Sequence, residues 1–215
     1  MRFAFLCFVL VCLILIGCQS YQNTPLTRAA ATRTSADVAR TLRGASLDEL
    51  QAALIAATRA GNSAAIPLLV NGGADVTRPW GVNGWTPLEH AVHKRQAGSI
   101  KALLDAGAPV DQRDEHQRTA LRWAAGNGFT DIVQLLMERG ADPHIADEDG
   151  VNALDAAIYG LPDVDNFTAA SCQTETVRAI LSKAPDLVPS RKRWNRIATQ
   201  VKRCGEIEQL MAVKP

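Results

Sequence analysis

Two histidines stand three residues apart in a segment that is expected to be helical. His90 and His93 would then share one helix face, a spacing at which two imidazoles can bind one metal ion. Glu89 is the only further ligand type beside them, and a metal site needs three or four donors. We therefore interpret the pair as part of a solvated helix face and predict no metal site.

The cysteines of the C-terminal half are the strongest candidate nucleophiles. Neither Cys172 nor Cys204 has a base at the spacing of a hydrolase motif, and His116 and His144 fall in predicted turns. The sequence has no glycine-rich phosphate loop, no H-E-x-x-H segment and no G-x-S-x-G segment. This pattern predicts a protein that binds rather than catalyses and that uses no cofactor.

The N-terminus has the pattern of a bacterial export signal. Arg2 precedes an unbroken apolar run over 3–17, which is shorter than the roughly 20 residues of a membrane-spanning helix. The run ends in Leu-Ile-Gly-Cys18, which resembles the lipobox at which bacterial lipoproteins are lipidated and cleaved. The resemblance implies that 1–17 are a signal peptide and that Cys18 carries a lipid.

A lipid on Cys18 implies a location in the bacterial cell envelope, facing the periplasm. Acyl chains hold a protein at a membrane because each buried CH₂ contributes about 0.8 kcal/mol. Gln19 follows the cysteine, where lipoproteins of the inner membrane commonly carry Asp, and this favours the outer membrane. The alternative is an uncleaved N-terminal membrane anchor.

Export also changes the interpretation of the later cysteines. The periplasm is oxidising, and an even pair of cysteines in an exported chain favours a disulfide. We therefore predict a bridge between Cys172 and Cys204, with two unpaired thiols as the alternative.

Composition narrows the fold class and the partner. The chain has 23 basic and 22 acidic side chains, a net charge of +1, and so lacks the excess of cations with which nucleic-acid binders displace counterions. Aromatic residues make up 5% of it. Its many small apolar residues suit closely packed helices better than a β-sandwich.

The sequence repeats every 33 residues from Thr86 through Thr119 to Asn152, each followed two positions later by leucine. Such a period is typical of stacked supersecondary units that bury a shared core. Gly-Ala pairs close the copies, at Gly107 and Gly140. Each copy is therefore predicted to form a capped helix, a second helix and a turn at glycine.

These copies resemble the ankyrin repeat. The Thr-Pro-Leu that starts at Thr86 and the Thr-Ala-Leu that starts at Thr119 match the turn into its first helix. Gly128 matches the glycine between its helices, and the Gly-Ala-Asp from Gly140 matches its exit turn. The resemblance implies an all-α ankyrin-repeat solenoid of about four repeats, with a C-terminal capping helical segment.

Four positions depart from the family pattern. The histidine of the family's Thr-Pro-Leu-His turn is replaced by Glu89, Arg122 and Asp155 in successive copies, so its hydrogen bond is lost or remade. Arg95 stands where the second copy should have its inter-helix glycine.

Segment boundaries follow from these patterns. A capping box of Ser46 and Glu49 marks the start of the repeats. The predicted division is a signal peptide 1–17, a lipidated cysteine and flexible tether 18–45, repeats 46–79, 80–113, 114–146 and 147–186 with an inserted loop 160–172, and a C-terminal cap 187–215.

The resemblance also implies where a partner binds. Partners of ankyrin repeats usually lie along the concave side, which hairpin loops and first helices form, and exposed Trp, Tyr and Arg residues dominate binding hot spots. Mapped by position, that surface holds Trp85, His90, His93, Lys94, Glu115, His116, Arg118, Trp123, Asn127, Glu148, Asp149 and Tyr159. For the two tryptophans, packing between repeats is the alternative.

We expect a protein that is monomeric when unbound and that binds another protein at the membrane. The leading hypothesis is an immunity or inhibitor protein that neutralises a secreted toxic effector, such as a lipase. A scaffold for an envelope or oxidative-stress complex is the alternative, and an enzyme comes third. A nucleic-acid partner is excluded by charge and compartment.

Overall fold

The computed structural model describes residues 23–32, 34–81, 84–160, 172–190 and 201–212. The regular elements of this part of the chain are α-helices, joined by turns and hairpin loops that hold two isolated β-bridges. None of these helices is both long and apolar enough to span a bilayer. The predicted signal peptide 1–17 and Cys18 lie outside the described residues.

The chain forms two compact units, residues 1–108 and 109–215. The helices of the first unit are α1 (Pro25–Thr32), α2 (Ser35–Thr41), α3 (Leu47–Ala60), α4 (Ile66–Asn71), α5 (Pro87–His93) and α6 (Ala97–Asp105). In this unit α3 packs against α1, α4 and α5, and α6 packs against α4 and α5.

The helices of the second unit form two packed pairs and a final helix. They are α7 (Ala120–Gly126), α8 (Thr130–Glu138), α9 (Ala153–Tyr159), α10 (Thr174–Lys183) and α11 (Gly205–Ala212). Helix α7 packs against α8 and α9, and α10 packs against α8, α9 and α11. The helix pairs of both units confirm the predicted all-α fold.

Side-chain caps fix where the first helices of the repeats begin. The hydroxyl oxygens of Thr86 and Thr119 accept from backbone N–H groups in the first turns of α5 and α7. Ser46 forms the predicted capping box with Glu49 at the start of α3. Each cap satisfies N–H groups that have no partner within the helix, which contributes about 1 kcal/mol.

The turns between paired helices need a left-handed backbone. Gly128 has φ +69°, as expected for the family's inter-helix glycine. Arg95, at the matching position of the preceding repeat, has φ +50°. The left-handed conformation costs a residue with a Cβ atom about 1–2 kcal/mol, so the surrounding fold must stabilise Arg95 in it.

The prediction of a flexible tether over 18–45 is wrong for α1 and α2. Leu26, Ala29 and Ala30 are buried, and α1 packs against α3. Asn62 also donates its side-chain N–H to the backbone oxygen of Ala30 at 2.9 Å. Small residues bury little area each, so this Ala- and Thr-rich segment gave a weak hydrophobic pattern although its backbone is well packed.

Candidate functional site

A hairpin loop carries two tryptophans in front of α5. The backbone N–H of Trp80 donates to the backbone oxygen of Trp85 at 2.9 Å, in an antiparallel bridge. Thr86 follows directly and caps α5, so the cap fixes the hairpin relative to the helix. The Trp85 side chain is half-buried and contacts the histidines of α5.

His90 was predicted on the accessible partner-binding surface, and the structure corrects this. Its side chain is only 7% exposed, because Nε2 lies 3.0 Å from the backbone oxygen of Trp80 and the hairpin covers the ring. Burial is the main cause that lowers the pKa of His90, and the nearby Arg59 contributes to the lowering. His90 therefore positions the hairpin.

Trp85, His93 and Lys94 form an accessible group, which we name the Trp85 patch. His93 and Lys94 are exposed, and the rings of Trp85 and His93 have centres 4.8 Å apart. Partial burial lowers the pKa of His93, and the charges of Lys94 and Arg59 lower it further. The patch thus combines an aromatic surface with the positive charge of Lys94, and tryptophan is one of the residue types that dominate protein-binding hot spots.

The matching hairpin of the second unit is organised by a buried carboxylate. Asp114 accepts from the backbone N–H groups of His116 and Arg118, both at 2.9 Å. Its second oxygen lies 2.7 Å from Nη2 of Arg118. Arg118 in turn places its guanidinium 4.8 Å from the centre of the Trp123 ring, a cation–π contact.

Trp123 was predicted as a surface residue or as packing between repeats, and the structure shows it packed. It is 6% exposed, since all of α7 is buried between neighbouring helices. Asn127, which is half-buried, donates its side-chain N–H to the backbone oxygen of Trp123 at 2.8 Å. Trp123 therefore belongs to the core of the second unit and does not serve as a surface hot spot.

The other predicted residues of the second unit are accessible and mostly acidic. Glu115, Glu148 and Asp149 are exposed, and we name them the acidic patch. His116 connects two of them, with Nδ1 at 2.8 Å from Glu148 and Nε2 at 3.8 Å from Glu115. Tyr159 is half-buried at the end of α9. This surface has the opposite charge to the Trp85 patch.

The residues that replace the family's histidine form hydrogen bonds of their own. Glu89 completes a capping box with Thr86, whose backbone N–H lies 2.8 Å from the Glu89 carboxylate. Asp155 forms the equivalent capping box with Asn152 and accepts from the backbone N–H of Ser190 at 2.9 Å. Asp155 therefore remakes a hydrogen bond to another segment of the chain, whereas the capping box of Glu89 lies within the start of its own helix.

A disulfide joins the segment before α10 to the segment before α11. Cys172 and Cys204 have Cα atoms 5.7 Å apart and a sequence separation of 32. Cys172 is exposed whereas Cys204 is buried. The bridge ties the end of the inserted loop to the C-terminal helix.

Within the described ranges, no group of three or more His, Cys, Asp or Glu side chains could hold a metal ion.

The sequence did not identify Arg59 and Trp80, which lie beside the Trp85 patch. Arg59 could be recognised as part of this surface only after α1 was known to pack on α3, because that packing creates the surface beside Arg59.

Comparison with known proteins identifies the repeats. Residues 28–114 and 98–189 match the family model for ankyrin repeats (3 copies). Together the two matches cover most of the chain. The match begins within α1, so the family region extends further toward the N-terminus than the repeats predicted from 46.

Curated relatives share the repeat over part of their length. The chain is 33% identical over 92 residues to the E3 ubiquitin-protein ligase KEG of Arabidopsis thaliana, covering 43% of the chain and 6% of the relative. It is 34% identical over 85 residues to the ankyrin repeat and SOCS box protein 2 of Bos taurus, covering 39% and 13%. It is 44% identical over 71 residues to the human ankyrin repeat domain-containing protein 63, covering 31% and 19%.

The chain therefore spans less than one fifth of the length of each of these relatives. The ligase activity in the first name is that of the relative. The names of the second and third relatives contain the ankyrin repeat, a module that binds other proteins. The family match and the helix pairs lead to one conclusion: the chain belongs to the ankyrin-repeat family.

Proposed function

We propose that this chain is a lipid-anchored protein of the bacterial envelope that binds and inhibits a secreted toxic enzyme. A membrane-attacking lipase is the leading candidate for that enzyme. The proposal joins two features of the chain, an ankyrin-repeat region and the Leu-Ile-Gly-Cys18 sequence. An inhibitor held by a lipid stands at the surface that a lipase must reach.

The observation that carries the proposal is the Trp85 patch. A half-buried tryptophan is held by the Trp80 hairpin and by two histidine rings, so its orientation is fixed before binding. Ordering a side chain on binding costs about 0.5–1.5 kcal/mol, and a pre-ordered aromatic residue avoids part of this cost. Such a rigid aromatic surface suits tight stoichiometric binding, which an inhibitor needs.

A competition experiment tests the role in the cell. A strain that lacks this chain is mixed with its parent, which still secretes the effector. We expect the parent to kill the deletion strain, and we expect the full chain supplied on a plasmid to restore survival. The variant Cys18→Ser should restore it less well, because an unanchored inhibitor is diluted away from the membrane.

Surface variants make the test specific. Trp85→Ala should fail to protect, while Val188→Ala, a truncation of an exposed apolar residue outside the patch, should protect fully. Circular dichroism shows whether both variants are folded. A deletion strain that survives beside its parent but loses a multiprotein envelope complex would contradict inhibition and favour a scaffold.

A further inference from the structure

A pocket of about 370 Å³ opens beside the Trp80 hairpin in the first unit. Its floor includes Ala31 of α1 together with Ile55 and Ala56 of α3. Trp80 and His90 line it from the hairpin and from α5. The volume lies within the range of about 300–1,000 Å³ that is usual for ligand pockets.

Small side chains create this pocket. Ala52, Ala56 and Ala60 recur every four residues along α3, so they lie on one face of the helix, and all three line the pocket. Methyl groups at these positions leave space beside α1 that longer side chains would fill. We name the cavity the alanine pocket.

One arginine lines the alanine pocket, and a lysine lies near it. Arg59 lines it, and the charges of Arg59 and Lys94 both act on the buried His90. Among the described residues that line the pocket there is no carboxylate. Within the described part of the chain, neither Arg59 nor Lys94 forms an ion pair, so both cations are available to a partner.

We infer that the alanine pocket receives an apolar side chain from an acidic segment of the partner protein, an inference that rests on the proposed protein-binding role. The apolar floor removes the side chain from water, at about 25 cal/mol per Å². The flanking carboxylates of the segment lie near Arg59 and Lys94, which steer association and select against basic segments. The Trp85 patch is adjacent to the pocket, because the ring centres of Trp85 and the lining residue His90 lie 5.5 Å apart.

Alternative occupants fit the lining less well. A basic segment would bring cations against Arg59 without any lining carboxylate to pair with. A free phosphate group would meet the cations but would leave the apolar floor hydrated. The acidic peptide with an apolar residue uses both features.

A peptide titration tests the inference without the natural partner. The full chain is placed in lipid nanodiscs, and binding is followed by the fluorescence anisotropy of a labelled, capped peptide in which one leucine is flanked by glutamates and aspartates. One control peptide carries lysines in place of the acids, and a second carries serine in place of leucine. We expect the acidic leucine peptide to bind and both controls to bind at least roughly fivefold more weakly.

Matched variants locate the site. Arg59→Glu should weaken the acidic leucine peptide by roughly fivefold or more, since it replaces an attraction with a repulsion. Lys101→Glu makes the same change of charge at an exposed position of α6 outside the pocket and should leave affinity within roughly twofold. Ala56→Leu should weaken binding by filling the pocket, while circular dichroism confirms that the helices remain.

Three results would overturn the inference: equal losses for Arg59→Glu and Lys101→Glu, equal binding of the lysine peptide, or no effect of Ala56→Leu. Stronger competition by inorganic phosphate than by the acidic peptide would assign the cations to an anion site instead. The peptide result does not depend on the competition experiment. A chain that binds the peptide but protects no cell would refute the inhibitor role and leave the pocket assignment standing.

Discussion

Nε of Arg122 lies 2.6 Å from Oδ2 of Asp147, and both side chains are almost fully buried. Arg122 stands on the first helix of one repeat, at the position of the family's histidine, and Asp147 opens the hairpin loop of the next. Asp147 also accepts from the backbone N–H of Val151 at 2.9 Å. The pair therefore connects two successive repeats within the second unit.

Removing one charge of this pair should be costly. Asp147→Asn keeps the shape and the oxygen that accepts from Val151, but it leaves the Arg122 guanidinium buried without its partner. We expect a loss of about 3 kcal/mol in the free energy of unfolding, measured by urea denaturation. The double variant with Arg122→Met should recover part of this loss. A cost below about 1 kcal/mol for Asp147→Asn would show that water compensates the charge.

The disulfide should contribute to the stability of the second unit. Cys172 and Cys204 close a loop with a sequence separation of 32, and the chain-entropy model gives roughly 3–4 kcal/mol for such a loop. We expect the variant with both cysteines changed to serine to unfold at correspondingly lower urea concentration. Peptide mass spectrometry of the isolated protein under non-reducing conditions should detect the linked pair of cysteine peptides. Free thiols in freshly isolated protein would contradict the bridge.

Burial of His90 should make the first unit sensitive to acid. Its pKa in the folded chain lies below the ordinary histidine value of about 6.5, so the unfolded chain takes up the proton more readily. The contribution of His90 is therefore complete above pH 6.5 and is lost as the pH falls toward the folded pKa, with a slope of at most about 1.4 kcal/mol per pH unit. His90→Gln retains a donor for Trp80 and should flatten the dependence of unfolding free energy between about pH 7 and pH 5.

His144 provides a control of opposite sign for this measurement. A hydrogen bond to Asp142 is the main cause that raises its pKa, and Asp186 adds to the effect. Its contribution is present below the unfolded pKa and is lost as the pH rises through the folded value. Because His144 is about half exposed, the effect should be small. If His90→Gln and His144→Gln changed the pH dependence in the same direction, the assignment for His90 would be wrong.

The sequence predicted backbone features better than it predicted exposure. Thr86 and Thr119 were identified as caps because capping depends on local sequence. The burial of Trp123 could not be predicted from the sequence, because α7 is buried on every side. Helical periodicity distinguishes the faces of a helix only when one face is exposed to solvent. Arg59 was missed because its surroundings depend on α1, whose small residues carry little hydrophobic signal.

Trp85 and Trp123 should respond differently to truncation. Trp85→Ala should reduce affinity for the partner protein by about 2 kcal/mol or more with little change in unfolding. Trp123→Ala should instead reduce the free energy of unfolding by about 3–5 kcal/mol, because it empties a buried site. Affinity is measured by calorimetry and stability by urea denaturation. Equal effects of both variants on stability would remove Trp85 from the binding surface.

The most direct measurement of the proposed inhibition is an activity titration of an enzyme that the immobilised full chain captures from secreted proteins and that is then eluted. Its hydrolytic activity is followed while the full chain in nanodiscs is added in increasing molar ratio. We predict that the enzyme activity falls linearly and reaches zero at a fixed molar ratio of chain to enzyme. Trp85→Ala should shift this end point to a higher molar ratio, and Val188→Ala should leave it unchanged. Full enzyme activity at saturating chain would contradict inhibition.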